Sequence, residues 1–314
     1  MQGQAVKFGI AIPQAFGQEP VDVALIHGFL RKADTLGYHS VWVQEVLDAP
    51  LLEPATLLTY AAALTRNLHL GAAVLLTALR NPLQLAKMLA TMDQLSGGRL
   101  IVGAALGSNV QNYPAYGMSA AKRVLRFIDG IALVKKLWTE ESVSHSGEFW
   151  MLDKERMEPR PAQKPHPPIW FGGSHPNALR RAVQLGDGWI GGRTPTDKFK
   201  SHVIAVRQLL EEFNRDPADF MIGKRVYVAL DSNRARAERR LNEWFSQVYH
   251  RDDIAGSAAI YGNEQECADK LGEIVLAGAK LMILNPISDH MEHLDALASV
   301  LPKINPISDG IFRL

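Results

Sequence analysis

Short apolar runs rich in β-branched residues alternate with amphipathic stretches from one end of this chain to the other, and that alternation admits few folds. A strand that is apolar on both faces must be covered on both sides. A helix between successive strands does this and returns the chain to begin the next strand in the same direction. Eight such runs stand out, at residues 7–13, 40–45, 69–76, 100–107, 168–173, 188–192, 222–230 and 280–285. The helices between them carry their own punctuation. Residues 21–36 gather Leu25, Phe29, Ala33 and Leu36 and stop at Gly37, and residues 82–95 open on a proline, turn Leu85, Met88, Leu89 and Met92 to one face and end at Ser96-Gly97-Gly98. Eight strands, each followed by a helix, predict an α/β chain folded as a (β/α)8 TIM barrel rather than an open doubly wound sheet, with a single domain spanning 1–314.

Two stretches break the rhythm. Residues 139–167 hold Pro159, Pro161, Pro165, Pro167 and the segment His145-Ser-Gly-Glu-Phe-Trp150, which reads as an insertion between strands four and five carrying a small hairpin. Residues 252–262 precede a helix that opens at Asn263 or Glu264 and closes at Gly278. With 47% hydrophobic residues the chain is not disordered, and its 314 residues sit near the upper end for one core. Lysine and arginine number 34 against 33 acidic residues, a net charge of +1, so the cationic surplus that nucleic acid or an anionic membrane requires is missing. The single cysteine, Cys267, closes no intrachain disulfide, which fits a reducing cytoplasm. The polar start does not read as a signal peptide. No apolar run approaches the roughly 18 residues that cross a bilayer.

A barrel of this kind assembles its active site at the carboxyl ends of its strands. Those ends read Pro13-Gln14, Gln44-Glu45, Leu75-Leu76-Thr77, Gly107-Ser108-Asn109, Gly172-Gly173-Ser174, Gly191-Gly192-Arg193, Asp231-Ser232-Asn233 and Asn285-Pro286. They offer no histidine pair, no carboxylate cage and no lysine for a Schiff base. Glycines and amides prevail instead, a surface suited to a cofactor that brings its own chemistry. The stretch from Ile169 through Gly172, Gly173 and Ser174 to Arg181 runs a strand into a helix with Pro176 in its first turn, so backbone N–H groups converge on an anion site; the alternative is a plain turn capped by Ser174 or His175. Small residues centred on Gly71-Ala72-Ala73 and on Gly103-Ala104-Ala105 either make room for a ring system or pack tightly inside the barrel. Glu45 is the sole carboxylate squarely at a predicted strand end, a proton-handling group or one half of an ion pair to a neighbouring loop. His290 and His293, three apart, are a metal pair without a third ligand or part of a solvated helix face. Arg234, Arg236, Arg239 and Arg240 flank the apolar stripe Leu241, Trp244, Phe245 and Val248, and read as a solvated face or a contact for an anionic cofactor tail.

In order and spacing, Gly37-Tyr-His-Ser-Val-Trp-Val-Gln-Glu45, Glu53-Pro-Ala-Thr-Leu57, Leu70-Gly71, Asn81-Pro82, Leu95-Ser-Gly-Gly-Arg-Leu100, Pro167-Pro-Ile-Trp-Phe-Gly-Gly173 and Gly186-Asp-Gly-Trp189 resemble the bacterial-luciferase-like flavin monooxygenase and coenzyme F-420-dependent oxidoreductase family. The resemblance implies a (β/α)8 barrel that uses FMN or coenzyme F-420, for monooxygenation with reduced FMN or hydride transfer with F-420. It implies a ring resting on a bulge at the end of strand three, with a non-proline cis peptide near Ala73-Val74. Ala73, Val74, Gly107 and Ser108 would frame that ring, Gly172, Gly173, Ser174 and Asn177 would take the phosphate, and Glu45 would be the catalytic proton carrier. It further implies a small-molecule substrate, a homodimer and a separate reductase that supplies reduced cofactor. Two departures matter. Val46 stands where many members have a histidine, and Leu106 stands where bacterial luciferase has an arginine, which tilts the cofactor toward F-420. The competing reading is a flavin-binding protein without turnover.

Overall fold

The computed structural model describes residues 6–304 except Ser108 and Asp253. The chain runs β1 (Lys7–Ala11), α1 (Val23–Thr35), β2 (Ser40–Val43), α2 (Pro54–Leu64), β3 (His69–Ala72), α3 (Pro82–Ser96), β4 (Leu100–Ala104), α4 (Arg123–Thr139), β5 (Val143–Ser146), β6 (Met151–Glu155), β7 (Ile169–Gly172), α5 (Pro176–Leu185), β8 (Gly188–Gly191), α6 (Thr196–Glu212), β9 (Met221–Leu230), α7 (Arg234–Tyr249), α8 (Ala255–Ala258), β10 (Ala259–Gly262), α9 (Glu264–Leu276), β11 (Leu281–Pro286) and α10 (His290–Val300). Each of the eight predicted runs is a strand. In the order β1-β2-β3-β4-β7-β8-β9-β11 they pair in parallel, and β11 pairs with β1 to close the barrel. β5 and β6 form the antiparallel hairpin expected in the insertion.

The stretch 252–262 contains a strand that its sequence does not announce. β10 pairs with Tyr227 to Leu230 at the far end of β9, on the edge that β8 leaves free once its own pairing stops at Lys224. Four residues are too few for a periodicity to show. Its successor α9 begins with a reciprocal capping box between Asn263 and Glu266.

Most of the core lies between strands and helices, and a smaller set, Trp42, Ile101, Trp170, Ile190, Leu281 and Ile283, fills the barrel itself. Trp42 and Trp170 stack there with centroids 5.6 Å apart. A Cβ on Gly71 would come within 2.4 Å of the Trp42 ring, and one on Gly9 within 2.4 Å of its Nε1. Gly71 is therefore small for packing. The pair His290 and His293 does not lie on a solvated face. His293 is buried with its Nε2 accepting the Leu230 N–H at 3.0 Å, and burial holds the His290 imidazole down to about 4.

Candidate functional site

A cavity of about 900 Å³ opens at the carboxyl ends of the strands. Its floor is made where β3 leaves its neighbours. The Ala73 N–H still donates to the Val43 carbonyl at 2.8 Å, the Ala73–Val74 peptide is cis, and pairing with the β4 side resumes as Leu75 N–H to Gly103 O at 2.8 Å and Ala105 N–H to Leu75 O at 3.0 Å. The bulge pushes the Ala72 carbonyl toward β4, where a Cβ on Gly103 would sit 1.8 Å from that oxygen. The Val74 side chain reaches the end of β7, and a Cβ on Gly172 would meet it at 3.0 Å. Gly107, with φ +83°, continues this side-chain-poor floor. From the opposite wall Arg225 reaches across the barrel, donating to the Ala73 carbonyl at 2.8 Å and to Asn285 Oδ1.

Beside the floor, β7 passes into α5 through Gly173, whose φ of +114° suits glycine. The cap is His175, not Ser174: its Nδ1 accepts the Asn177 N–H at 3.2 Å, and its carbonyl accepts the N–H groups of Ala178 and Leu179. The Gly173 carbonyl accepts the Trp189 indole N–H at 2.7 Å. Since that carbonyl and the Ser174 N–H belong to one trans peptide, anchoring the first on Trp189 aims the second the opposite way. No acceptor among the described residues meets the Ser174 or His175 N–H, and residues 173–177 are exposed. Arg181, one turn along α5, lines the same cavity.

Glu45 borders the cavity, but its carboxylate is engaged. Arg80 binds it through two contacts of 2.8 Å, and the Leu76 N–H donates to it at 2.7 Å. The ion pair, one of its two readings, is realised. The same cavity is lined by a group that sequence reasoning missed. Gln44 Oε1 lies 2.6 Å from the Tyr249 hydroxyl and 3.1 Å from that of Tyr227, and the two hydroxyls are 2.5 Å apart. Gln14 fixes Gln44 by accepting its N–H at 2.9 Å and donating to its carbonyl at 2.7 Å. Complete burial pushes the Tyr227 phenol well above 10, so it stays protonated. The Arg193 guanidinium lies 3.6 Å above the Tyr249 ring.

Of the expected site residues, Glu45, Ala73, Val74, Gly107, Gly172, Gly173, Ser174 and Asn177 all line this one cavity, while Ser108 lies outside the described residues. Four arginines join them without having been singled out as a set: Arg123, Arg181, Arg193 and Arg225. None has a carboxylate partner among the described residues, and the Nε atoms of Arg123 and Arg225 are buried without an acceptor. Of the two carboxylates that line the cavity, Glu45 is matched by Arg80 and Asp48 lies 3.8 Å from His250. The signal available in sequence was Arg225 itself, a cation in the middle of an apolar strand.

Residues 6–252 match the model of the luciferase-like monooxygenase family. The chain belongs to that family. It is 34% identical to the oxygenase component of a flavin-dependent trigonelline monooxygenase of Acinetobacter baylyi, over 63% of this chain and 57% of that one. It is 27% identical to an F-420-dependent glucose-6-phosphate dehydrogenase of Nakamurella multipartita, over 91% of this chain and 86% of the other. Among solved structures, an F-420-dependent secondary alcohol dehydrogenase bound to an F-420-acetone adduct superposes with a TM-score of 0.82 at 18% identity, covering 97% of this chain and all of that one. That likeness speaks for the fold. No helix among the described residues is long and apolar enough to cross a membrane.

Proposed function

We propose that this luciferase-like family member holds FMN or coenzyme F-420 in the 900 Å³ cavity and uses it, within one barrel domain, to oxidise or reduce a small organic molecule. The observation that carries the reading is the pairing of a side-chain-poor floor with an anion site: the β3 bulge at Ala73 and Val74 against Gly107 and Gly172, beside the unmet N–H groups of Ser174 and His175. A planar ring suits the first and a phosphate the second. Such a cofactor supplies the redox step, oxygen insertion with reduced FMN or hydride transfer with F-420. The protein's share is placement. Ala73, Val74 and Gly107 support the ring, with Ser108 beside them in sequence; Gly172, Gly173, Ser174 and Asn177 take the phosphate, aided by Arg181.

Glu45, locked to Arg80, fixes the β3 loop through its bond to the Leu76 N–H. Proton donation falls to the Tyr249 Oη, which borders the cavity and is held by Gln44 and Tyr227. Val46 brings no proton donor to the cavity, and this hydroxyl supplies one. Leu106 in place of an arginine keeps F-420 ahead of FMN. A homodimer, a cytoplasmic setting and, with FMN, a separate reductase belong to the same reading; elution at monomer mass in size exclusion would remove the dimer. Fluorescence titration with FMN and with F-420 tests the whole, one of the two binding at micromolar concentration. Binding of neither overturns it.

A further inference from the structure

The cationic wall asks for more than a cofactor phosphate. That phosphate is accounted for by the N–H groups that follow β7 and by Arg181, whereas Arg225 stands on β9, with β8 between them. Arg225 is 94% buried, being 6% exposed, and borders the cavity where the cis peptide forms its floor. Its recorded partners are two neutral oxygens, Ala73 O and Asn285 Oδ1, so only two of its five N–H donors are used. Its Nε is buried with no acceptor, and its nearest ring is Tyr227, 5.1 Å from the guanidinium carbon. A buried cation is ordinarily matched by an anion. Here none comes from the described residues, while Arg193, stacked on Tyr249 close by, adds charge of the same sign.

We propose that Arg225 receives the carboxylate of a small, partly aromatic substrate, whose apolar part rests against Tyr227 and Tyr249 beside the cofactor ring. A guanidinium fork matches a carboxylate in shape and charge, and a buried one distinguishes it from a neutral amide of equal size. The proposal rests on the cofactor reading above. It also explains why a chain with net charge +1 concentrates unpaired arginine at one cavity.

Benzoate and benzamide form a matched pair of probes. Their affinities are measured by calorimetry on the intact protein, with FMN or F-420 present and again without, after each cofactor's own affinity has been determined. Benzoate is expected to bind wild type at least about 10-fold more tightly than benzamide, the worth of a charged hydrogen bond. Arg225→Met is expected to erase that preference and Arg225→Lys to keep part of it, while either change also weakens cofactor binding to the extent that the contact with the Ala73 carbonyl steadies the floor. A wild-type protein that binds cofactor but treats the two probes alike overturns this proposal and leaves the cofactor reading standing. So does an Arg225→Met variant that loses cofactor yet keeps the preference, because the anion is then the cofactor's. Absence of binding by either cofactor sinks the earlier reading and this proposal with it, even where benzoate is preferred, because the substrate is then beside no cofactor ring. The wild-type comparison decides even if a variant does not fold.

Discussion

Replacing Glu45 with glutamine preserves its shape and removes the charge that Arg80 matches on both oxygens. The pair is largely buried, with side-chain exposures of 12% and 22%, so about 2 kcal/mol of stability should go with it. If Glu45 holds the β3 loop, Glu45→Gln weakens cofactor binding about 10-fold and leaves the pH profile of turnover unchanged. A proton carrier would instead lose one limb of that profile, so a pH series separates the two roles. Tyr249→Phe is the counterpart: it keeps the ring beneath Arg193 and removes the hydroxyl. Turnover is expected to fall about 100-fold at unchanged cofactor affinity, and unchanged turnover would remove Tyr249 from the mechanism. Glu45 was legible in sequence because it closes the apolar run 40–45, although β2 itself stops at Val43. Its partner was not, since Arg80 lies 35 residues away on another loop and only the closed barrel brings them together. Arg225 carried a signal that sequence reasoning missed, since with Lys224 it is one of two cations in the otherwise apolar run 222–230, and a net charge averaged over the chain hides where charge is concentrated.

Between elements, the decisive junction is β3 against β4. Strands end where pairing ends, and pairing depends on a neighbour that a single run of sequence cannot show. That is why the eight strands were readable from alternation, while the third stops at Ala72 rather than Leu76. The cis peptide and the isolated Leu75–Ala104 bridge replace regular pairing there. The small residues that both strands share also divide by role only in three dimensions. Gly71 yields to Trp42, whereas Gly103 yields to the displaced Ala72 carbonyl. Gly103→Ala therefore cannot be relieved by a rotamer change, because the obstructing atom at 1.8 Å is backbone. It should cost about 3 kcal/mol and abolish cofactor binding, in thermal unfolding and fluorescence titration respectively. Gly71→Ala should cost about as much by displacing the Trp42 ring, but spare cofactor binding in whatever fraction stays folded. Equal effects of both changes on binding would show that the bulge has no special part in the site.

Across the whole molecule, buried titratable groups set the pH range in which the barrel persists. His39 and His69 stack with centroids 4.6 Å apart just where β2 and β3 begin. Burial holds the His39 imidazole down to about 3, lowers that of His69, and on α10 brings His290 to about 4 with His293 also lowered. Unfolded, each takes a proton near 6.5. Between that value and the folded ones the unfolded chain carries more protons, so the stability present above about pH 6.5 is lost on acidification, at up to about 1.4 kcal/mol per pH unit for each histidine. Lys224 extends the same slope upward. Buried and donating to the Thr194 carbonyl, it loses its proton at about 7 instead of 10.5, so the unfolded chain is again the more protonated form between those values. The Cys267 thiol, pushed up to about 12 by burial, works the other way once unfolded thiols ionise. Urea midpoints should therefore climb steadily from about pH 5 to pH 8 and level off above about pH 9. His290→Leu should flatten the acid limb and Lys224→Met the limb above neutrality, each leaving the other slope in place. A wild-type midpoint that stays constant between about pH 5 and pH 7 would mean that these imidazoles keep their protons in the folded barrel, and that its interior is wetter than its packing implies.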